Sequence, residues 1–229
     1  MLERRNFETS SSHDTSAMSE CVVELFIPFK GIKPPRSIFR ASDRTSRQGG
    51  RTSELSLSKA TGKRNGSTVE RRALVCFYSY TGNTRLVAAQ LRDCLRTRYE
   101  VDLVEIKPRR EQSYPLWLAY SFIPNSRVEI SDINSDVSSY DLVCLATPKW
   151  TFSCPPFNEY LRIMTNCQGK RIGLIVTYGG FRERDFIRRI VNVIKQKKPS
   201  SILVLAIRRR DISCRSYVTQ VEDFSARLQ

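Results

Sequence analysis

Residues 73–98 read ALVCFYSYTGNTRLVAAQLRDCLRTR, an apolar run followed by a polar turn and then by a helical pattern. In an α/β protein such a turn binds phosphate, because the first turn of the following helix leaves backbone N–H groups without helical partners. Gly82 permits a tight turn between hydroxyl side chains. We therefore expect an anion to be bound by six consecutive residues: Ser79, Tyr80, Thr81, Gly82, Asn83 and Thr84.

The composition of this turn restricts the anion that it can bind. It contains no lysine, which argues against a loop for a nucleoside triphosphate, and its single glycine argues against the three-glycine dinucleotide fingerprint. A phosphomonoester bound by neutral donors fits the turn. The alternative is an ordinary helix start capped by a hydroxyl or amide side chain.

The pattern Ser-x-Thr-Gly-Asn-Thr after an apolar strand resembles the FMN phosphate loop of the flavodoxin family. The resemblance covers roughly residues 72–229 and implies FMN as the cofactor. It also implies a flavodoxin-like α/β fold, a three-layer sandwich around a five-stranded parallel sheet of order 2-1-3-4-5.

The rest of this region independently predicts a parallel sheet, because short apolar runs alternate with amphipathic stretches. The predicted strands are residues 73–79, 100–106, 140–147, 170–177 and 201–207. The predicted helices are residues 84–98, 157–164, 182–197 and 216–228. A further short apolar helix is predicted between two prolines in residues 114–124, either packed in the core or exposed as a docking face or lid.

Residues 1–70 differ in composition from residues 71–229, which we predict to be the FMN-binding domain. They are basic, rich in Ser and Thr, and lack a helical or strand period, which predicts a disordered extension. One apolar patch, residues 21–29, could form a strand or short helix, but no neighbouring segment offers it a partner. The extension is therefore expected to be dispensable for folding. We identify neither a signal peptide nor a transmembrane segment and expect a cytoplasmic protein.

Two further loops follow predicted strands at the sheet edge where ligands of such folds bind. A flavin ring needs flat apolar surfaces and nearby backbone polar groups, and both loops offer them. The second loop contributes Thr147, Pro148, Lys149, Trp150, Thr151 and Phe152, and the third contributes Thr177, Tyr178, Gly179 and Gly180. We expect Trp150 and Phe152 to cover one face of the ring and Tyr178 another part, or Trp150 and Tyr178 to be structural aromatics that cap the sheet.

The sequence gives little evidence for a metal site, a catalytic thiol or histidine-based catalysis. The seven cysteines include no Cys-x-x-Cys spacing, so no local zinc or iron–sulfur motif exists. Cys154 could be a reactive thiol, but it has no histidine near it in sequence. The single histidine, His13, lies outside the predicted domain, which excludes histidine-based catalysis there. We expect no catalytic side chain and no metal, so a bound flavin would supply the chemistry.

The formal net charge of +15 resides mainly in the domain, where Lys and Arg outnumber Asp and Glu by 26 to 15. Such a surface would attract an acidic redox partner protein and favour the anionic reduced flavin. The leading prediction is a flavodoxin-like FMN-binding protein that transfers electrons or reduces a small-molecule acceptor such as a quinone. The alternatives are a protoporphyrinogen- or quinone-type oxidoreductase of this fold and a basic nucleic-acid-binding protein without cofactor. Nucleic acid is disfavoured because the basic residues are dispersed.

Overall fold

The structure, a computed structural model, describes residues 21–26, 71–180 and 182–229. The described strands are β1 (Val22–Phe26), β2 (Arg72–Phe77), β3 (Glu100–Glu105), β4 (Leu142–Pro148), β5 (Arg171–Tyr178) and β6 (Ser201–Arg208). The described helices are α1 (Asn83–Leu95), α2 (Tyr114–Ser121), α3 (Pro155–Ile163), α4 (Glu183–Lys195), α5 (Arg209–Ser213) and α6 (Tyr217–Leu228). None of these helices is long and apolar enough to cross a bilayer.

The described strands form one sheet in the order β1-β6-β5-β4-β2-β3, and every neighbouring pair is parallel. The predicted flavodoxin-like α/β fold is confirmed, because β3-β2-β4-β5-β6 is the order 2-1-3-4-5. The predicted count of five strands was wrong, since β1 adds a sixth at the edge beside β6. The elements predicted from periodicity are present, with boundaries shifted by three residues or fewer.

β1 corrects the prediction that residues 21–29 have no partner. Val22 lies opposite Ser201 in a parallel ladder that runs to Phe26 opposite Leu205. Cys21 and Val23 also pack against the core. The partner strand lies almost 180 positions further along the chain, where local sequence patterns cannot reveal it. The rest of the predicted extension, residues 1–20 and 27–70, lies outside the described residues.

Both faces of the sheet are buried, as expected for parallel strands with helical crossovers. On one face Leu74 and Cys76 of β2 belong to a core cluster that includes Tyr160 of α3 and Phe186 of α4. On the other face Val75 packs in a second cluster with side chains of α1 and α6: Val87, Leu91, Leu95, Val221, Phe224 and Leu228. Successive residues of β2 thus enter opposite core layers.

Two short helices lie outside this regular pattern. α2 has Pro115 in its first turn and buries Trp117 completely, so core packing is confirmed for that side chain. Tyr114, Leu116 and Tyr120 of the same helix are exposed, so the helix also presents an apolar surface. α5 was not predicted, because five residues are too few to display a helical period.

The contribution of β1 to stability can be tested with two valines of that strand. Val23→Ser should lower the free energy of unfolding by about 1 kcal/mol, because the half-buried Val23 side chain packs against the core. Val22→Ser is the matched control, since Val22 is 58% exposed and the substitution costs the same strand propensity. Urea denaturation would measure both. Equal midpoints for the two variants would contradict the packing of β1 on the core.

Candidate functional site

The structure brings the three predicted loops together at the carboxyl edge of the sheet. Thr84 and Thr177 share a buried hydrogen bond of 2.8 Å between their hydroxyls, which joins the first loop to the third. The backbone N–H of Lys149 donates to the carbonyl oxygen of Thr177 at 2.7 Å, which joins the second loop to the third. Thr177 is therefore the common contact of all three loops.

The backbone of the first loop leaves its N–H groups available. Gly82 precedes α1 in the left-handed conformation, with φ of 86°, and no side chain caps the helix. The capped-helix alternative is therefore absent from the structure. The N–H groups of residues 79–85 donate to no acceptor among the described residues, and the first paired one is Leu86, bonded to the Gly82 carbonyl at 3.0 Å. This segment therefore offers several neighbouring N–H groups for which no described residue supplies an acceptor.

The hydroxyls of the first loop differ in their surroundings. The Ser79 Oγ is buried and has no hydrogen-bond partner, which is unusual for a buried polar atom. The Thr81 Oγ1 accepts a hydrogen bond from the Asn83 side-chain amide at 3.2 Å. Thr84 is buried against Thr177 and holds the loops together. Ser79 is therefore the hydroxyl best suited to a ligand, and Thr84 has a structural contact of its own.

Trp150 of the second loop lies among aromatic rings rather than beside Tyr178. Its ring centroid is 5.7 Å from that of Tyr78, 6.1 Å from that of Tyr80 and 5.8 Å from that of Trp117. The Tyr78 hydroxyl and the Trp117 Nε1 are buried without partners. Burial raises the pKa of Tyr78, so its hydroxyl stays protonated at neutral pH. This cluster places Trp150 next to the first loop through Tyr80.

Tyr178 contacts a cation that the sequence did not indicate. It is buried at the end of β5, and its hydroxyl accepts a hydrogen bond of 3.0 Å from the Arg208 Nε. The Arg208 guanidinium also lies 5.9 Å from the centre of the Tyr178 ring. Among the described residues no ring contact joins Tyr178 to Trp150. That Trp150, Phe152 and Tyr178 cover a flavin ring therefore stays a prediction, and Gly179 and Gly180 are exposed beyond Tyr178.

A cavity of about 330 Å³ opens between the second loop, the third loop and the start of α4. Its volume falls within the range of small-molecule sites. Aromatic rings and cations line it together: Lys149, Trp150, Thr151, Phe152, Gly180, Arg182, Asp185, Phe186 and Arg189. Sequence reasoning missed Phe186 here, because its apolar position on a helical period indicated only a core residue.

The cations of this cavity are incompletely neutralised. Asp185, the one carboxylate in its lining, forms ion pairs with Arg182 at 3.5 Å and with Arg188 at 3.4 Å. Burial lowers the pKa of Lys149, and the neighbouring Arg182 lowers it further against an opposing effect of Glu183. Arg189 lies over the Phe152 ring at 5.4 Å. The cavity therefore combines flat apolar surfaces with positive potential.

α2 holds the second loop in place, a role that the sequence did not indicate. The Ser121 hydroxyl shares a hydrogen bond of 2.8 Å with that of Thr151. The backbone N–H of Phe152 donates to the Ser121 carbonyl at 2.9 Å. Thr147 and Pro148, which were predicted as the start of this loop, form the end of β4. Trp117 is buried and its ring lies 5.8 Å from that of Trp150, so α2 packs directly against the second loop.

A reactive Cys154 thiol and a metal site were not expected, and the structure bears on both. Cys154 is completely buried, and burial raises its pKa to about 12, so its thiol is protonated and inaccessible at neutral pH. No cluster of His, Cys, Asp or Glu that could hold a metal ion occurs within the described ranges.

The comparisons with known proteins identify the fold and the family. No family model matches the chain. The solved structure "a Putative flavoprotein from Bacteroides uniformis" is 15% identical and covers 68% of this chain and 97% of its own, with a TM-score of 0.53. A second structure, of "a putative flavoprotein from Bacteroides eggerthii", is 18% identical over 66% of this chain and 97% of its own, with a TM-score of 0.49.

The first of these structures shows that the protein has the flavodoxin-like fold. A protein of Archaeoglobus fulgidus, described as "Uncharacterized protein", is 35% identical over 139 residues, which are 59% of this chain and 85% of the relative. The chain belongs to the same family as this archaeal protein.

The accessibility of the cysteines provides a test of the site geometry. Iodoacetamide at pH 7.5 should label Cys214 first, because it is exposed and hydrogen bonds from the Ser216 side chain and backbone lower its pKa. Labelling of Cys214 should rise with pH as its thiolate forms, whereas Cys154 should remain unlabelled through pH 9. Peptide mass spectrometry would measure both. Rapid labelling of Cys154 in the folded protein would contradict the packing of the second loop.

Proposed function

We propose that this protein binds FMN and acts in electron transfer or in the reduction of a small acceptor such as a quinone. One observation carries the proposal: the N–H groups of residues 79–85, which have no acceptor in the part of the chain that the structure describes, lie with the buried, unpaired Ser79 hydroxyl at the carboxyl edge of a flavodoxin-like sheet. The description of the Bacteroides uniformis protein as a flavoprotein supports it. When bound, FMN would supply the electron-accepting and electron-donating chemistry.

The first loop suits a phosphomonoester, because its donors are neutral and numerous. Backbone N–H groups at a helix N-terminus stabilise an anion through hydrogen bonds and the helix dipole. The nearest cation in sequence, Arg85, is bound to Glu105 at 2.6 Å and so contributes little net charge. We infer that the backbone N–H groups and Ser79 bind the phosphate, while Thr84 keeps the loop fixed against Thr177.

The aromatic ring of the cofactor would lie against Trp150, which is half-buried and connects the first loop to the cavity. Tyr80 borders the same ring from the first loop. The cavity cations Lys149, Arg182 and Arg189 would stabilise negative charge on the reduced ring and attract an acidic redox partner protein. The chain's own contribution is therefore binding, orientation and electrostatic stabilisation.

Substitutions of Gly82 test the backbone of the first loop. Gly82→Val should prevent FMN retention while leaving the fold intact, because a β-branched residue resists a φ of 86°. Gly82→Asn is the matched control: asparagine tolerates this conformation, and no atom lies within 4 Å of an added Cβ. Flavin fluorescence titration with circular dichroism would measure binding and folding. Unchanged FMN affinity in Gly82→Val would contradict the proposal.

Ser79→Ala tests the unpaired hydroxyl. The substitution should leave the stability of the flavin-free protein unchanged, because no hydrogen bond is lost. It should weaken FMN binding roughly ten- to a hundredfold, as expected when a hydrogen bond to a charged group is lost. Thr84→Ala is the contrasting variant and should destabilise the flavin-free protein, because it breaks the buried contact with Thr177. Equal FMN affinities for Ser79→Ala and the parent would exclude Ser79 as a phosphate ligand.

Lys149→Gln tests the charge of the cavity. Removing this cation should lower the two-electron midpoint potential of bound flavin by roughly 10–30 mV, because the reduced anion loses a favourable interaction. Lys195→Gln, at the opposite end of α4, is the control and should leave the potential unchanged. Because burial lowers the pKa of Lys149, the difference between parent and variant should fade as pH rises through that pKa. Equal potentials at neutral pH would place Lys149 away from the flavin.

A further inference from the structure

α5 begins with an exposed arginine, Arg209, that the proposed function does not use. This residue directly follows β6, so it lies at the carboxyl edge of the sheet, as the first loop does. The Arg209 guanidinium has no hydrogen-bond or ion-pair partner within the described ranges of the chain. Most exposed arginines are solvated surface charges, so the position of Arg209 decides whether it can contribute to the site.

The alternation of side chains at the end of β6 places Arg209 on the α1 side of the sheet. Ile207 of β6 and Ile212 of α5 pack in the core cluster that contains the buried side chains of α1. Arg208 bonds instead to Tyr178, which belongs to the cluster on the opposite face. Because successive residues of an extended chain lie on opposite faces, Arg209 follows Ile207 onto the face that α1 covers.

The third loop links Arg209 to the first loop. A Cβ atom added to Gly179 would lie 3.9 Å from the Arg209 Cδ, so the arginine side chain runs beside the backbone of the third loop. The Thr177 hydroxyl, two positions before Gly179, bonds to that of Thr84 in the first turn of α1 at 2.8 Å. The stem of Arg209 therefore lies on the side of the third loop that meets the start of α1.

The charges on the other side of the first loop favour a further cation near Arg209. Arg85 is paired with Glu105 at 2.6 Å. Burial raises the pKa of Tyr78, and the carboxylates of Glu111 and Glu105 raise it further, so both carboxylates lie on the Tyr78 side of the loop. Two carboxylates and one guanidinium thus border the first loop there. A phosphate dianion in the loop would gain from a cation on its third-loop side.

The carboxylates nearest to α5 act on a different arginine. The hydrogen bond with Tyr178 raises the pKa of Arg208, and the carboxylates of Glu183 and Asp211 raise it further. Asp211 lies two positions from Arg209 in α5, a spacing at which helical side chains do not face each other. The positive charge of Arg209 is therefore available to an anion at the first loop.

We propose that Arg209 binds the same phosphate as the first loop and supplies the positive charge that this loop lacks. The planar guanidinium offers several N–H donors that match the oxygens of a phosphomonoester. The backbone N–H groups and Ser79 would bind the phosphate from the first loop, and Arg209 would approach it from α5. Because FMN is the phosphomonoester concerned, this role rests on the proposed function.

FMN and riboflavin together isolate the contribution of the phosphate, because riboflavin lacks it. Arg209→Gln should weaken FMN binding about three- to tenfold and leave riboflavin binding unchanged. Arg209→Lys should retain most of the FMN affinity, because the charge remains. Arg98→Gln is the matched control: it removes the same charge from an exposed residue beyond the opposite end of α1. Its FMN affinity should change by less than about twofold.

Salt separates a charge effect from a change in loop structure. Raising sodium chloride from about 0.02 M to about 0.3 M should reduce the difference in FMN affinity between the parent and Arg209→Gln, because exposed charges are screened. Flavin fluorescence titration would measure the affinities, and circular dichroism would show that each variant is folded. Equal FMN affinities at low salt, or an equal loss of FMN and riboflavin binding, would overturn the role of Arg209.

Inorganic phosphate gives a readout that does not involve flavin. It should raise the melting temperature of the flavin-free parent more than that of Arg209→Gln, with sodium chloride of the same ionic strength as the reference. A parent that binds neither FMN nor riboflavin would contradict the proposed function, and the phosphate measurement would still test Arg209. Equal stabilisation of the parent and Arg209→Gln by phosphate would exclude Arg209 from the anion site.

Discussion

The three loops of the candidate site depend on Thr177, which lies at the carboxyl end of β5 and contacts both of the other loops. Its hydroxyl bonds to that of Thr84, and its carbonyl accepts the backbone N–H of Lys149. All sheet pairs are parallel, so the carboxyl ends of the strands meet at one edge and their loops are neighbours. Because Thr177 and Thr84 are buried, leaving either hydroxyl unpaired would cost about 1–3 kcal/mol. The loops are thus fixed relative to one another before a ligand arrives.

α2 supports the second loop through a ring contact and through hydrogen bonds. Its buried face supports Trp150 through Trp117, and its end bonds to Thr151 and Phe152 through Ser121. The side chains of Tyr114, Leu116 and Tyr120 on the same helix are apolar and exposed. The same segment therefore supports the site and exposes apolar side chains beside it. A displacement of α2 would therefore change both the cavity and the surface beside it.

The candidate site consists of an electrically neutral region and a positively charged region. The first loop offers backbone and hydroxyl donors without a free cation in its sequence, whereas the cavity formed by the second and third loops carries Lys149, Arg182 and Arg189. Partial burial strengthens the effect of Lys149 and Arg189, because water screens them less than it screens exposed charges such as Arg182. A ligand that spans both regions would meet neutral donors at one end and positive potential at the other.

The sequence by itself determined the parallel α/β arrangement, the central strand order through its family resemblance, and the segments that form the three loops. The parallel arrangement and the loop positions follow from local periodicity and from the glycine and hydroxyl pattern of residues 79–84, whereas the strand order is what the resemblance implied. Only the tertiary structure decided that Val22–Phe26 joins the sheet, that Trp150 packs with Tyr78 and Trp117, and that Tyr178 binds Arg208. Such contacts depend on which distant segments share an edge or a core layer, and a period of two or 3.6 residues carries no information about that choice.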